Sequence, residues 1–216
     1  MATARKGVTR YGVGEIYGFD LSYLPPSRIR ELASARHTAI SCPFKPQSPG
    51  KPQPKCSKQG GVCSLRQYLE ERSGKVKPLG LPVTTCPQRF LERNLIFEWV
   101  GETLLGTKEP VVISELPFLM SDGEAEKSGD PVGMIDKVLV NPSGSPLTWC
   151  ALEMQAVYFS GKSMENDFKV MRGWTAERIP FPKVHRRPDF RSSGPKRLMP
   201  QLQIKVPTIS RWGKKT

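Results

Sequence analysis

Two short runs hold the residues best placed to do chemistry. In Gly133-Met134-Ile135-Asp136-Lys137-Val138-Leu139-Val140 a lone acid stands in an apolar setting, and in Trp149-Cys150-Ala151-Leu152-Glu153-Met154-Gln155-Ala156-Val157 a Glu and a Gln do the same. Residues 141–146 between them are turn chemistry, so the two arms read as a β-hairpin. Alternation puts Asp136 on one face with Val138 and Val140, and Glu153 with Ala151, Gln155 and Val157. With those six turn residues unpaired, Val140 faces Leu147 and Asp136 faces Ala151. Glu153 is then the diagonal neighbour of Asp136, roughly 7–8 Å away between α-carbons. Two carboxylates that close repel each other and lose hydration unless a cation lies between them. Hard oxygen donors of this kind suit Mg²⁺. The competing reading is an amphipathic hairpin with its acids in water. The apolar density of residues 149–157 weighs against it, since such a strand is expected to be buried on both faces.

A second group of chemical residues precedes the hairpin. Cys42, Cys56, Cys63 and Cys86 bracket a stretch in which Pro43, Pro46, Pro49, Pro52 and Pro54 alternate with lysines, a pattern compatible with neither helix nor sheet. A loop of this length with nothing of its own to bury needs a clamp. Four cysteines so close in an intracellular chain read as a thiolate metal site in preference to disulfides, although the C-x₂-C knuckles of zinc ribbons are missing. Gly60-Gly61 lets the backbone curl just before Cys63. Unrelated free thiols are the alternative. Cys150, inside the apolar strand, reads as a core residue.

Composition restricts the function classes. The chain of 216 residues has a formal net charge of +13. Residues 1–91 carry fifteen Lys/Arg against five Asp/Glu, residues 92–130 three against nine, and residues 162–216 fourteen against four. Basic flanks around an acidic, strand-forming centre suit a protein that grips a polyanion and sets metal-binding acids beside it. No apolar run approaches bilayer length and no secretory leader is visible, so a soluble cytoplasmic protein without membrane contact is expected. Basic amphipathic helices are also lacking, which favours nucleic acid over a membrane surface as partner.

The elements that must position these groups follow in order. Residues 27–39 read as a short helix with Pro26 before it and Ser27 as N-cap. Residues 87–105 read as one long helix opened by Pro87, with Phe90, Leu91, Leu95, Ile96, Trp99 and Leu104 at helical spacing and Glu98 and Glu102 one turn apart. Glu98 is within reach of the metal cluster on this reading. Residues 111–118 form a strand, and 121–130 a polar, acidic loop. A Pro/Arg/Lys-rich loop spans residues 179–200. In it Arg186, Arg187, Arg191, Lys196 and Arg197 are candidates for DNA phosphate contacts. A short helix over residues 198–212 is broken at Pro207.

Cys56-Ser-Lys-Gln-Gly-Gly-Val-Cys63, Cys86-Pro-Gln-Arg-Phe90, Gly133-Met-Ile-Asp136, Leu152-Glu-Met-Gln155 and Leu202-Gln-Ile-Lys-Val-Pro207, in this order, resemble the NotI-type restriction endonucleases of the PD-(D/E)xK nuclease superfamily. The resemblance implies an α/β fold: a restriction-endonuclease-like core of mixed sheet flanked by helices over residues 87–216, behind an N-terminal basic region with a four-cysteine metal module over residues 1–86. It implies a type II enzyme that hydrolyses double-stranded DNA with Mg²⁺, acting as a homodimer at a GC-rich palindromic site. Its active-site pattern falls on Asp136, Glu153 and Gln155, with Asp136 and Glu153 as Mg²⁺ ligands. A rubredoxin-like iron would be held by Cys42, Cys56, Cys63 and Cys86. Thiolates accept Zn²⁺ as readily, so iron rests on the resemblance alone. The superfamily has Lys where Gln155 stands, and Gln brings no charge. The superfamily core continues beyond its crossover helix, near which this sequence stops, so a core short of its last strand is expected, with an exposed sheet edge.

Two functions of different class compete. The nuclease reading requires Asp136, Glu153 and Gln155 to converge. A non-catalytic DNA-binding protein with a structural four-cysteine metal site has no reason to bury them.

Overall fold

The computed structural model describes residues 7–120, 131–161 and 163–216, so the acidic segment 121–130 lies outside the described residues. The protein is mixed α/β, with antiparallel sheets and helices. Two compact units emerge, and they do not follow a single cut at residue 86. One combines the chain up to Glu92 with Ala156–Phe190, and the other combines Arg93–Gln155 with Arg191–Thr216.

The first unit is built on an antiparallel sheet of β1 (Val8–Ile16), β2 (Phe19–Asp20), β3 (Val62–Glu70) and β4 (Val76–Thr84) in the order β2-β1-β3-β4. Tyr17 and Gly18 form the two-residue turn between β1 and β2, both at positive φ (50° and 84°), the backbone that a tight hairpin of this hand needs. β4 lies at an edge, where Pro78 and Pro82 cost no central ladder bond. Helix α1 (Pro26–Ser34) has Pro26 as its first helical residue, with Pro25 as cap. The expected start at Ser27 is therefore one residue late, because proline at the first turn loses no helical bond. The buried Ile29, Leu32 and Ala33 of α1 meet Phe168 and Met171 of α3 (Glu165–Arg172) in one apolar cluster with Ile16, Val62 and Leu65. A short ladder of β8 (Tyr158–Ser160) and β9 (Arg187–Asp189) completes the unit.

The second unit holds α2 (Leu95–Leu105), the antiparallel sheet β5 (Val111–Met120), β6 (Pro131–Asn141) and β7 (Thr148–Leu152), and α5 (Met199–Arg211). The single long helix expected over 87–105 is interrupted. Residues 87–94 wind as tight turns, and Arg93 and Asn94 take left-handed φ values of 50° and 57°, which restarts the helix at Leu95. α5 is longer than expected and passes through Pro207 unbroken, preceded by α4 (Phe190–Ser193) and a wide turn over Gly194–Leu198. A proline inside a helix removes the bond to the carbonyl four residues back, here Gln203, and α5 tolerates that loss. Ile209 of α5 is fully buried against Phe118, Ile135, Val138 and Ala151. Leu139 and Cys150 are also buried, so the middle of the sheet is covered on both faces, and Cys150 is a core residue as expected.

After α5 the chain turns at Gly213 and runs parallel beside β7. Lys215 bridges Cys150, and its carbonyl accepts from the Ala151 amide at 2.9 Å. The β7 edge is thus partly covered.

Candidate active site

The hairpin register decides how the acids meet. Val140 pairs with Trp149, Val138 with Ala151 and Lys137 with Leu152, while Asn141 pairs with Thr148. The turn still has six residues, but they are 142–147. The expected Val140–Leu147 pairing is off by two residues. Asn141 accounts for the difference: its Oδ1 accepts from the Ser143 amide (2.9 Å) and its Nδ2 donates to the Leu105 carbonyl (3.0 Å), which holds it in the strand as the first post of the turn. The corrected register carries Asp136 to the point directly across from Glu153 instead of diagonal to it.

The ladder stops at that point. β7 ends at Leu152, so the strand expected to run to Val157 is shorter. In place of the next pair, the Met154 amide donates to Asp136 Oδ2 at 2.9 Å. On the other side of β6 the β5 ladder skips Glu115, which has a left-handed φ of 54° opposite Asp136. Ladder bonds are therefore interrupted on both sides of Asp136, which opens the sheet around its carboxylate.

Glu153 is nearly sealed, with its side chain 2% exposed. Lys205 Nζ of α5 lies 2.8 Å from Glu153 Oε2 and also donates to the Met134 carbonyl (2.5 Å) and Gln201 Oε1 (3.0 Å). Both Glu153 carboxylate oxygens are buried, and apart from the Lys205 ion pair neither has a hydrogen bond of ordinary geometry among the described residues. Burial raises the Glu153 carboxyl above the ordinary glutamate range; Lys205 opposes this by contact and charge, the neighbouring Asp136 charge adds to it, and the Asp136 backbone N–H, aimed at the carboxylate, opposes it. Gln155 is partly buried two residues on. Glu98 lies on an exposed position of α2.

Sequence reasoning misses Lys205 as a site residue. The signal is a lysine in the middle of the 202–207 motif, flanked by Ile204 and Val206, but only the packing of α5 reveals that it points inward.

The cysteines gather in the first unit. An antiparallel clasp joins the ends of the Pro/Lys loop: Cys42 N donates to the Pro54 carbonyl (2.8 Å) and Cys56 N to that of Ile40 (2.9 Å). Cys63 sits on β3 and receives the Cys86 amide on its carbonyl (3.1 Å). All four are buried free thiols. Burial pushes the Cys63 thiol up to about 12, with the Cys86 and Cys42 charges acting in the same direction. Burial also lowers the pKa of the Lys58 ammonium, against the charges of Cys86, Cys63 and Cys56. Gly60 and Gly61 both take positive φ (74° and 63°), and a Cβ on Gly61 would fall 2.0 Å from the Tyr17 ring, so the curl before Cys63 requires glycine. Among the described residues, no three His, Cys, Asp or Glu side chains stand close enough to hold an ion.

One DNA-contact candidate is ruled out. Arg186 is 3% exposed and forms a buried ion pair with Asp167, and it also donates to the Ser163 carbonyl (3.0 Å), so it cannot reach a phosphate. Arg187, Arg191, Lys196 and Arg197 are exposed.

Two acids facing each other where the ladders of a three-stranded sheet stop are a donor set suited to metal-assisted phosphodiester chemistry. The chain belongs to the NotI restriction endonuclease family, whose model (Restriction endonuclease NotI) matches residues 27–216. No curated protein and no solved structure matches the chain significantly. Family membership makes the protein a site-specific DNA endonuclease and DNA its partner. Among the described residues no helix is long and apolar enough to cross a membrane.

Proposed function

We propose that the protein is a cytoplasmic type II restriction endonuclease with a PD-(D/E)xK core, one that hydrolyses double-stranded DNA with Mg²⁺ at a GC-rich palindromic site and works as a homodimer. The observation that carries this reading is Glu153, whose carboxylate oxygens are buried without a hydrogen bond of ordinary geometry, one residue past the Lys137–Leu152 pair and so next to Asp136. A hard divalent ion satisfies such an oxygen and relieves the repulsion between the two acids.

Asp136 and Glu153 would hold the ion, which supplies Lewis acidity toward the scissile phosphate. The Met154 amide fixes one oxygen of Asp136 and leaves the other available to the ion. Gln155 has both a donor and an acceptor to orient the attacking water, but no charge. Arg187, Arg191, Lys196 and Arg197 would contact backbone phosphates. The exposed Leu95 and Trp99 of α2 offer apolar surface to a second copy. Cys42, Cys56, Cys63 and Cys86 would hold a structural iron, or zinc, as thiolates. The four thiols are buried on segments joined by backbone bonds, which supports that donor set, whereas their spacing and the burial that favours the neutral Cys63 thiol weigh against it.

Incubating the purified protein with GC-rich plasmid and Mg²⁺ tests the reading. Discrete double-strand cuts are expected, lost in chelator and in Asp136→Ala and Glu153→Ala. Salt-sensitive DNA binding without cleavage under any divalent ion would instead mark a DNA-binding protein with a structural metal.

A further inference from the structure

The hairpin brings two carboxylates together and adds only a neutral Gln155 beside them, so it has no cation of its own at the acids. We propose that Lys205 supplies that charge from helix α5, acting as a positioning residue that keeps Glu153 aimed at the metal and gives the site its resident cation. The inference rests on the nuclease reading of Asp136 and Glu153.

Three observations carry it. Lys205 is 4% exposed, and a lysine is almost never buried to this degree unless its charge is used. Its Nζ is shared between Glu153 Oε2, the Met134 carbonyl on β6 and Gln201 Oε1 on its own helix, so a single ammonium ties β6 to the segment just after β7. Those are the two segments that bear the acids, and the tether therefore fixes their separation. Finally, Lys205 lies against Oε2 at 2.8 Å while both carboxylate oxygens are buried and lack a hydrogen bond of ordinary geometry among the described residues, so Lys205 and an incoming ion can share the one carboxylate. Asp136, two residues from Met134, would share the ion with a Glu153 that Lys205 holds in place.

Lys205→Gln keeps a polar group for the tether and removes the charge, and Lys205→Met removes both. With Lys205→Gln, thermal melting is expected to fall, because Glu153 loses its buried partner charge, but to fall less than with Lys205→Met, which also removes the tether. Single-turnover cleavage falls roughly 100-fold, as for loss of one preorganised electrostatic contact. Calorimetric binding of Ca²⁺, which needs no cleavage, becomes several-fold tighter, because a rival cation has gone. Adding Gln155→Lys to Lys205→Gln restores at least about tenfold of the rate and weakens Ca²⁺ binding toward the parent value, since the charge returns from the hairpin side. The proposal is overturned if Lys205→Gln cleaves within about threefold of the parent, or if Ca²⁺ affinity and melting temperature collapse together in both variants, which is the behaviour of a mere strut. A parent that binds Ca²⁺ but never cuts DNA sinks the nuclease reading. The Ca²⁺ arm then still decides the role of Lys205, tighter binding supporting it and unchanged binding refuting it.

Discussion

Glu153 has a carboxylate that is buried on both oxygens without a hydrogen bond of ordinary geometry, with an ammonium against Oε2. A surface acid has no need of such an arrangement, and a metal ligand does. Arg186 shows the opposite case of a residue whose charge is wholly absorbed. Arg186→Ala leaves Asp167 buried without its ion pair, and is expected to cost about 3 kcal/mol or more in urea unfolding. Arg191→Ala, at an exposed position, should leave stability within about 0.5 kcal/mol and lower the salt dependence of DNA binding by about one phosphate contact. Equal stability for the two variants would contradict this assignment. Tyr68 gives a pH test at the same scale. It is 1% exposed, donates to the Val13 carbonyl at 2.8 Å, and burial raises its hydroxyl from 10.0 to about 12. A raised folded pKa means that the native state resists deprotonation. The Tyr68 contribution is therefore complete below pH 10 and declines as pH rises from 10 toward 12. Tyr68→Phe should cost about 1 kcal/mol at neutral pH, a deficit that shrinks across that window in urea titrations. A deficit independent of pH would contradict the burial argument.

At the scale of elements, the site depends on where the hairpin turns. Asn141 sets the register with two side-chain bonds, one to Ser143 and one to Leu105. Asn141→Ala should destabilise by about 1–2 kcal/mol and lower cleavage by more than the loss of stability explains, because a slipped β7 carries Glu153 away from Asp136. Denaturant midpoints and single-turnover rates on one preparation check this, and normal cleavage at reduced stability would contradict it. Both arms of the hairpin, the β5 strand and the burial of Cys150 are visible in the sequence as Val/Ile/Leu/Trp density bounded by turn residues. The register is not, since six turn residues can be counted from Asn141 or from Pro142, and only the hydrogen bonds of Asn141 select the second. The break at Arg93-Asn94 is hidden for a similar reason: apolar spacing runs through it, and a left-handed Asn leaves no trace in periodicity. Pro207 misleads in the other direction, because packing of Ile209 and Lys205 on the sheet outweighs one missing helical bond.

For the whole molecule, the sequence brings the two acids of the hairpin together, but it does not announce the exchange of segments between the two units. Ala156–Phe190 returns to the first unit because Phe168 and Met171 complete its apolar cluster, a long-range pairing that no local pattern announces. That return also accounts for Arg186, which looks like one more base in a basic loop until Asp167 is placed beside it. Lys205 is equally illegible, since its helix has to be docked before its direction means anything. If the thiols hold a structural ion, elemental analysis should find one iron or zinc per chain, and its removal should lower the melting temperature of the protein; a metal-free protein with unchanged melting would count against it.

The pairing of Asp136 with Glu153 around a divalent ion is the central claim, and crystals of the protein soaked in Mn²⁺ test it most directly through the anomalous signal of the metal. The expected result is a single strong peak in contact with Asp136 and with Glu153 Oε1, absent in Glu153→Ala. Manganese bound elsewhere with nothing between the two carboxylates would contradict it.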